Sequence, residues 1–182
     1  MSEGSRLDGS PEEFARAAVT LAIRRFGLPG ELEASAYVDG FGDLGIDGIA
    51  IALDGMPLAD VDDIPDFLPG DDAGLDILFV QSKRPDKIKQ NDIVLFGNAV
   101  RTFLTLNQDD LLRLKPSSQL LGHWQVIHRL RQLAPQVAAA ADIKLLFVYS
   151  GQWKDFQGVN IRRENVLADL SNALKSSRAE RL

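Results

Sequence analysis

The stretch Leu75-Asp76-Ile77-Leu78-Phe79-Val80-Gln81-Ser82-Lys83 is a nearly continuous apolar run that ends in three polar residues. Side chains of a strand alternate between two faces. One face here carries Ile77, Phe79, Gln81 and Lys83, and the other carries Leu78, Val80 and Ser82. Because both faces are mostly apolar, the pattern predicts a central strand that is covered on both sides.

A second strand is predicted over residues 46–53, where alternation separates large apolar residues from small ones. The large face carries Asp47, Ile49, Ile51 and Leu53, and the small face carries Gly48, Ala50 and Ala52. An acid on an apolar face needs compensation. If the two strands pair, Asp47, Gln81 and Lys83 meet at one edge of the sheet. They would provide two oxygen donors for a hard cation and an amine for a water molecule or a phosphate oxygen.

Length and composition predict one domain that spans residues 1–182. With 45% hydrophobic residues the chain can bury a full core. It contains no cysteine, which excludes disulfides and thiolate metal sites and fits a reducing compartment. No segment reaches the ~20 apolar residues of a membrane span, and the first ten residues lack an apolar signal core. We therefore expect a cytoplasmic protein without a membrane partner.

The charge distribution is uneven. A net charge of -6 argues against a broad nonspecific nucleic-acid surface. Six aspartates crowd residues 60–72 of the long connection 54–74, which we expect to be a surface excursion. After the second strand, Lys83 is followed by Arg84, Lys87 and Lys89. This cluster predicts a basic patch beside Asp47.

The remaining elements follow from periodicity and from helix-capping signals. Ser10-Pro11-Glu12-Glu13 predicts the start of a helix, whose apolar stripe is expected at Phe14, Ala17, Ala18, Leu21 and Ala22. Further elements are predicted as a short strand over 34–38, a helix over 87–106, helices over 108–141 with breaks near Pro116 and Pro135, a buried strand over 143–149 and a helix over 163–176. The order α-β-β-β-α-β predicts an α/β protein with a central mixed sheet flanked by helices.

Three other motifs are better explained by structure than by chemistry. Residues 40–45 match the dinucleotide pattern G-x-G-x-x-G, but a strand follows them where that pattern requires a helix. The aspartate-rich loop lacks the glycine and the glutamate that an EF-hand needs at its sixth and twelfth positions. His123 and His128 are five residues apart on a helix, which is unsuited to a shared metal. We expect them to be exposed or half-buried.

The motif Gly42-Asp43-Leu44-Gly45-Ile46-Asp47-Gly48 and the strand end Val80-Gln81-Ser82-Lys83-Arg84 resemble the PD-(D/E)XK nuclease superfamily, in particular its Mrr-like branch with glutamine in place of an acid. The resemblance covers most of residues 10–151. Together with the strand end at residues 147–151, these motifs are similar to the N-terminal domain of AIPR-type abortive phage infection proteins. Such proteins are usually longer, so the resemblance implies an isolated N-terminal domain or a compact relative.

The resemblance implies a restriction-endonuclease-like core and specific roles. Asp47 would bind a metal, Gln81 would replace the second acidic ligand, and Lys83 would be the catalytic lysine. Some relatives add a glutamate from the first helix, which falls on Glu13. The Ser82 backbone carbonyl would complete the protein's share of a Mg²⁺ or Mn²⁺ shell.

These roles imply a metal-dependent endonuclease that hydrolyses DNA, with Arg84, Lys87 and Lys89 contacting nucleic acid and with a biological role in phage defence. The alternative is an inactive nuclease-like module that binds nucleic acid or a protein partner. The sequence leaves open a homodimer and further domains outside this chain.

Overall fold

The protein is α/β, with a four-stranded mixed sheet flanked by helices. A computed structural model describes residues 10–38, 42–66, 70, 72–84 and 90–149. The helices are α1 (Pro11–Arg25), α2 (Leu32–Ser35), α3 (Gln90–Thr105), α4 (Gln108–Arg113), α5 (Ser118–Leu133) and α6 (Pro135–Ala139). The strands are β1 (Gly48–Leu53), β2 (Met56–Pro57), β3 (Leu75–Lys83) and β4 (Asp142–Tyr149). The predicted α/β class is therefore confirmed.

The sheet has the order β2-β1-β3-β4. β1 pairs antiparallel with β2 and with β3, whereas β3 pairs parallel with β4. A parallel pair needs a crossover connection, and α3 to α6 provide it between β3 and β4. This order places β3 in the interior of the sheet. That position was predicted from the apolar residues on both faces of the strand.

The alternation predicted for β1 and β3 is confirmed. Ile49, Ile51 and Leu53 lie in one hydrophobic core with Ile77 and Phe79. Ala50, Ala52, Leu78 and Val80 lie in a second core on the opposite face. The first core packs against α3 and α5, and Phe79 meets Phe103 edge-on at 5.7 Å between ring centroids. The second packs against α1 and α2.

α1 begins as predicted but buries a different stripe. The Ser10 side chain accepts from the Glu13 backbone N–H, and the Glu13 carboxylate accepts from the Ser10 N–H, which completes a capping box. The buried residues are Ala15, Ala18, Val19, Ala22 and Ile23. Ala18 and Ala22 are buried as predicted, but the prediction was wrong for Ala17 and Leu21, which are exposed, Leu21 by 58%. Val19 and Ile23, two β-branched residues, therefore face the sheet. Arg16 and Arg24 remain exposed to solvent.

The strand expected over 34–38 is replaced by α2 and a single bridge. Tyr37 bridges antiparallel to Gly48, and the Val38 N–H donates to the Asp47 carbonyl at 3.0 Å. The backbone of 36–38 thus runs along the start of β1 for only one rung. The connection 54–74 contains β2 and a 3₁₀ turn at Val61–Asp63, and the rest of its described part is irregular.

The crossover helices follow the predicted breaks at the two prolines. α5 begins after Pro116, and Pro135 occupies the first position of α6. The 143–149 segment is a strand, but its residues are half-buried rather than buried. The helix predicted over 163–176 lies outside the described residues. Among the residues that are described, no helix is both long enough and apolar enough to cross a membrane.

Candidate functional site

The glycine turn at residues 42–45 precedes Asp47, whose side chain contacts the end of β3. Gly42, Leu44 and Gly45 have positive φ angles of 92°, 57° and 75°, a conformation that glycine adopts readily. No helix starts after the turn, because β1 begins at Gly48. The turn therefore lacks the helix N-terminus that a dinucleotide site needs.

Asp47 lies one residue before β1, at an irregularity in the sheet. Gly48 pairs with Val80, and the N–H of Asp47 also donates to the Val80 carbonyl at 2.9 Å. Both residues thus lie against Val80, and the regular β1–β3 ladder ends at this rung. Asp47 therefore lies outside the regular alternation of β1, so its side chain need not continue the face of Ile49.

Ser82 fixes the Asp47 carboxylate with two hydrogen bonds to the same oxygen. The backbone N–H of Ser82 donates to Asp47 Oδ2 at 2.5 Å, and the Ser82 hydroxyl donates to it at 2.9 Å. Ser82 lies two residues beyond the end of the β1–β3 ladder at Val80, while it still pairs with Val148 of β4. Oδ1 accepts no hydrogen bond within the described part of the chain.

Burial raises the pKa of the Asp47 carboxyl above its ordinary value. The hydrogen bonds from Ser82 lower that pKa, the nearby charge of Asp43 raises it, and the charge of Lys83 lowers it. Desolvation is the largest of these effects. An acid whose charge is disfavoured in the free protein gains from a positive partner.

Gln81 is buried beside the glycine turn, with 8% of its surface exposed. Its Nε2 donates to the Gly45 carbonyl at 2.5 Å. Since a carbonyl can only accept, this bond fixes the amide orientation. The opposite atom, Oε1, is buried and has no hydrogen-bond partner in the part of the chain that the structure describes. An unsatisfied buried oxygen is costly, so it is a position where a ligand would contribute stability.

Lys83 forms its ion pair with a residue that the sequence did not single out. Its Nζ lies 2.8 Å from Asp92 Oδ1, on the first turn of α3. The side chains of Lys83 and Asp92 are 33% and 17% exposed. The only sequence signal for this pairing was that Asp92 lies in the first turn of the helix that follows β3. Acids are common in that position in any case, because they stabilise the start of a helix.

The other predicted site residues have different fates. Arg84 is exposed directly after β3, with its guanidinium 5.6 Å from the Phe14 ring centroid. This contact brings the first turn of α1 towards the same end of the sheet. The Glu13 carboxylate, however, caps α1 by accepting from Ser10. Lys87 and Lys89 lie outside the described residues.

Asp47 and Gln81 each carry a side-chain oxygen of the kind that hard cations prefer. Asp47 Oδ1 is uncommitted, and Gln81 Oε1 lacks any partner. Oxygen ligands of this type suit magnesium and manganese. Within the ranges that the structure describes, no three His, Cys, Asp or Glu side chains cluster as a metal site. Two such oxygens would supply only part of a coordination shell, which substrate and water would have to complete.

The histidine pair does not contribute to this site. His123 is 2% exposed, so the expectation of an exposed or half-buried side chain was wrong for it. Its Nε2 lies 3.2 Å from the Ser35 carbonyl. His128 stacks on Trp124 with 4.6 Å between ring centroids. The two side chains have separate partners, as their spacing predicts.

Comparisons of the chain with protein-family models, with curated proteins and with solved structures found no match. The geometry at the end of β3 is therefore the basis for a functional hypothesis.

Proposed function

We propose that this chain is a metal-dependent endonuclease that hydrolyses DNA phosphodiester bonds with Mg²⁺ or Mn²⁺. The supporting observations lie at one end of the sheet: Ser82 donates two hydrogen bonds to the Asp47 carboxylate, the neighbouring Gln81 amide is bonded to Gly45, and Lys83 follows along β3. A role in phage defence and a restriction-endonuclease-like ancestry rest on the resemblance described above.

Asp47 and Gln81 would hold the cation through side-chain oxygens, together with the Ser82 carbonyl. A bound divalent ion lowers the pKa of a coordinated water and stabilises negative charge on phosphate. Replacing a carboxylate by Gln81 removes one negative charge from the site. We therefore expect weak cation binding by the free protein and stronger binding when substrate phosphate is present.

Ser82 would act by orienting Asp47. Its two hydrogen bonds to Oδ2 leave Oδ1 as the oxygen available for a ligand. Such bonds restrict the rotation of the carboxylate, so less entropy is lost when a cation binds.

Lys83 would contact the scissile phosphate or the attacking water. In the free protein it is paired with Asp92 at 2.8 Å. A phosphate that approaches Lys83 must compete with this carboxylate. The exposed Arg84 would add a second positive charge beside Lys83, where the DNA phosphate backbone would bind.

The direct test is cleavage of plasmid, linear duplex and single-stranded DNA in Mg²⁺ or Mn²⁺. We expect Asp47→Asn and Lys83→Met to reduce the rate at least ~100-fold, the scale of removing a group that stabilises transition-state charge. Matched controls are Asp54→Asn, at the opposite end of β1, and Lys144→Met, paired with Asp76 and Asp142 at the opposite end of the β3–β4 ladder.

The controls should retain wild-type rates. Equal rates for wild type and both site variants would reject the assignment and identify a contaminating nuclease. Absence of cleavage by the wild type on all three substrates, with no cation detected by titration in the presence of DNA, would also reject it.

A noncatalytic DNA-binding module is the second candidate. The Lys83–Asp92 ion pair favours it, because a lysine neutralised by its own protein is poorly placed for catalysis. This function predicts DNA binding that is independent of divalent cations and insensitive to Asp47→Asn. Arg84→Ala should then weaken binding and reduce the dependence on salt by about one ion.

A further inference from the structure

A polar cleft lies between α1, α2, the 3₁₀ turn and α5, and shares no lining residue with the site at the end of β3. Its volume is about 320 Å³, which falls in the lower range of small-molecule sites. Its walls include Arg16, Ser35, Tyr37, Asp60, Gly122 and His123. Nothing in the proposed nuclease chemistry requires this opening.

Gly122 lies in the wall of the cleft, in the interior of α5. Glycine weakens a helix interior relative to alanine. Two usual structural reasons for it are missing here. Its φ is not in the positive range, and a Cβ added to it would meet nothing within 4 Å. The effect of Gly122 is therefore to leave this wall of the cleft open.

The charges around the cleft favour a cation. The Arg16 guanidinium donates two hydrogen bonds to Glu12, both at 3.1 Å, and lies 4.0 Å from the Tyr37 ring centroid. Its charge is thereby offset by a neighbouring carboxylate. Asp60 adds a negative charge, and its exposed side chain caps the 3₁₀ turn by accepting from the Asp62 N–H at 3.3 Å and from the Asp63 N–H. Asp60 forms no ion pair within the described residues, so a cation at this rim would balance its charge.

The buried wall of the cleft adds a second acceptor. The Ser35 carbonyl can only accept, so the nearby His123 Nε2 carries the proton. Nδ1 is then an acceptor, and it is buried without a hydrogen-bond partner. Desolvation lowers the pKa of His123, which keeps the imidazole neutral. The charge of Asp60 and the unsatisfied Nδ1 of His123 would therefore each be stabilised by a cationic hydrogen-bond donor.

We propose that this cleft binds a small organic ammonium compound, which donates hydrogen bonds to the Asp60 carboxylate and, by reaching between α2 and α5, to His123. An anionic ligand would face Asp60 and the adjoining acids Asp62 and Asp63. A neutral ligand would leave the Asp60 charge without a partner.

The test is an NMR titration of the ¹⁵N-labelled full chain with 1,4-diaminobutane at constant ionic strength. 1,4-Butanediol is the control, since it has the same length without the charge. We expect saturable amide shifts at the cleft with the diamine and no saturable shifts with the diol. The His123 Nδ1 resonance should move on binding, while that of His128 should not.

Two pairs of variants separate specific binding from general attraction to an acidic surface. Gly122→Leu fills the open wall and favours the helix, so we expect at least about tenfold weaker diamine binding in a folded protein. Gln125→Leu, on an exposed position of the same helix, should bind normally. Asp60→Asn keeps the cap but should weaken binding about fivefold or more. Asp62→Asn should change it less than about twofold.

The proposal is overturned if the diamine gives no saturable shift, or if the diol binds equally well. It is also overturned if Asp62→Asn weakens binding as much as Asp60→Asn, or if Gly122→Leu leaves binding unchanged. None of these outcomes depends on nuclease activity.

Discussion

At the scale of single residues, Asp47 carries an energetic conflict. Burial disfavours its charge, while two donors from Ser82 and the nearby Lys83 favour it. Burial is the larger effect, so the pKa of the carboxyl is raised. Such a conflict is costly in the free protein and is relieved when a positive ligand arrives. Stability and proposed function should therefore respond in opposite directions to removal of the charge.

Asp47→Asn is expected to be more stable than the wild type at pH 7. The folded-state pKa of Asp47 is raised. Below the unfolded-state pKa the carboxyl is protonated in both states and its full contribution to the free energy of unfolding is present. That contribution is lost as the pH rises through the folded-state pKa, because the buried carboxyl then becomes charged. Asparagine does not ionise, so this loss of stability does not occur. Its side-chain oxygen can still accept the hydrogen bonds from Ser82. Urea midpoints at pH 7 and at about pH 4.5 should show a stability gain that shrinks at the lower pH.

The control for this comparison is Asp54→Asn, whose side chain is exposed beyond the opposite end of β1. A loss of stability on Asp47→Asn at pH 7 would contradict the argument. It would mean that the bonds from Ser82 outweigh the cost of burying the charge.

Asp92→Asn tests whether the Lys83 ion pair restrains substrate binding. The change removes the carboxylate that competes with phosphate, so the KM for DNA cleavage should fall about threefold to tenfold, with a smaller change in kcat. Steady-state kinetics at two salt concentrations measure both quantities. Asp110→Asn, on α4, is a control because it also removes a carboxylate that pairs with a basic side chain.

An unchanged KM for Asp92→Asn would mean that Lys83 does not exchange partners on binding. A raised KM together with a large loss of kcat would mean that Asp92 holds Lys83 in its working position. If the protein lacks nuclease activity, the same comparison can be made with DNA affinity.

Sequence reasoning identified Asp47, Gln81 and Lys83 as residues at one end of a sheet, because alternation and strand order are local properties. It could not identify Asp92 as the Lys83 partner. That ion pair depends on how α3 leaves the end of β3, which is a property of the tertiary structure. Nor could alternation predict the contact between the Asp47 carboxylate and Ser82, because Asp47 lies just outside β1, where the period of two no longer applies.

At the scale of elements, the close approach of α1 to β1 depends on Gly48. A Cβ added there would lie 2.4 Å from Val19 Cγ2 and 3.3 Å from the Ala36 carbonyl oxygen. Valine has little rotamer freedom in a helix and cannot easily move aside. The small-residue face of β1 is thus what allows a helix to pack closely on the sheet.

Gly48→Ala should destabilise the protein by about 1–3 kcal/mol through overpacking. Urea unfolding measures the change. The double variant Gly48→Ala with Val19→Ala should lose less than the sum of the two single changes, because Val19 Cγ2 causes the clash. Gly30→Ala is the control, since an added Cβ there meets nothing within 4 Å.

Additive losses in the double variant would contradict the proposed contact between α1 and β1. A loss on Gly30→Ala as large as that on Gly48→Ala would assign the effect to chain entropy or local conformation instead of packing.

Element prediction succeeded where a local signal was unambiguous. β3 was bounded by its apolar run, and the crossover helices were separated by Pro116 and Pro135. It failed for the stripe of α1, because two adjacent faces of that helix are both rich in alanine and only the shape of β1 selects between them. It failed over 34–38 because a short β-like segment becomes a strand only if a neighbour pairs with it over several residues.

At the scale of the whole molecule, two hydrophobic cores share the same central strands. Ile51 and Phe79 face one core, and Ala50 and Leu78 face the other. Neither core can form without β1 and β3. We therefore expect the described part of the chain to unfold as one cooperative unit.

Ile23→Ala tests this coupling from the α1 side of the sheet. The side chain is fully buried, so we expect a loss of about 2–5 kcal/mol. Trp124 lies in the core on the opposite face, and its fluorescence should report the same lowered midpoint as circular dichroism. Trp153→Phe makes Trp124 the sole tryptophan. Separate midpoints for the two probes would contradict a single unit.

The α/β class was predictable because it depends on the order of elements and on which strands are apolar on both faces. The function is less accessible from sequence, since the proposed chemistry depends on distances of a few ångströms between residues far apart in the chain. The cleft beside Gly122 had no sequence signal at all. It arises where four separate elements meet.

The parallel pairing of β3 with β4 has a consequence for synthesis. β4 is the last described strand, and the four crossover helices must be translated before it. At about 5–20 residues per second, a ribosome would leave the apolar edge of β3 without its neighbour for several seconds. During that interval the nascent chain exposes an unpaired apolar strand that is prone to aggregation. Its yield in cells should therefore depend on chaperones that shield such segments more than its equilibrium stability would suggest.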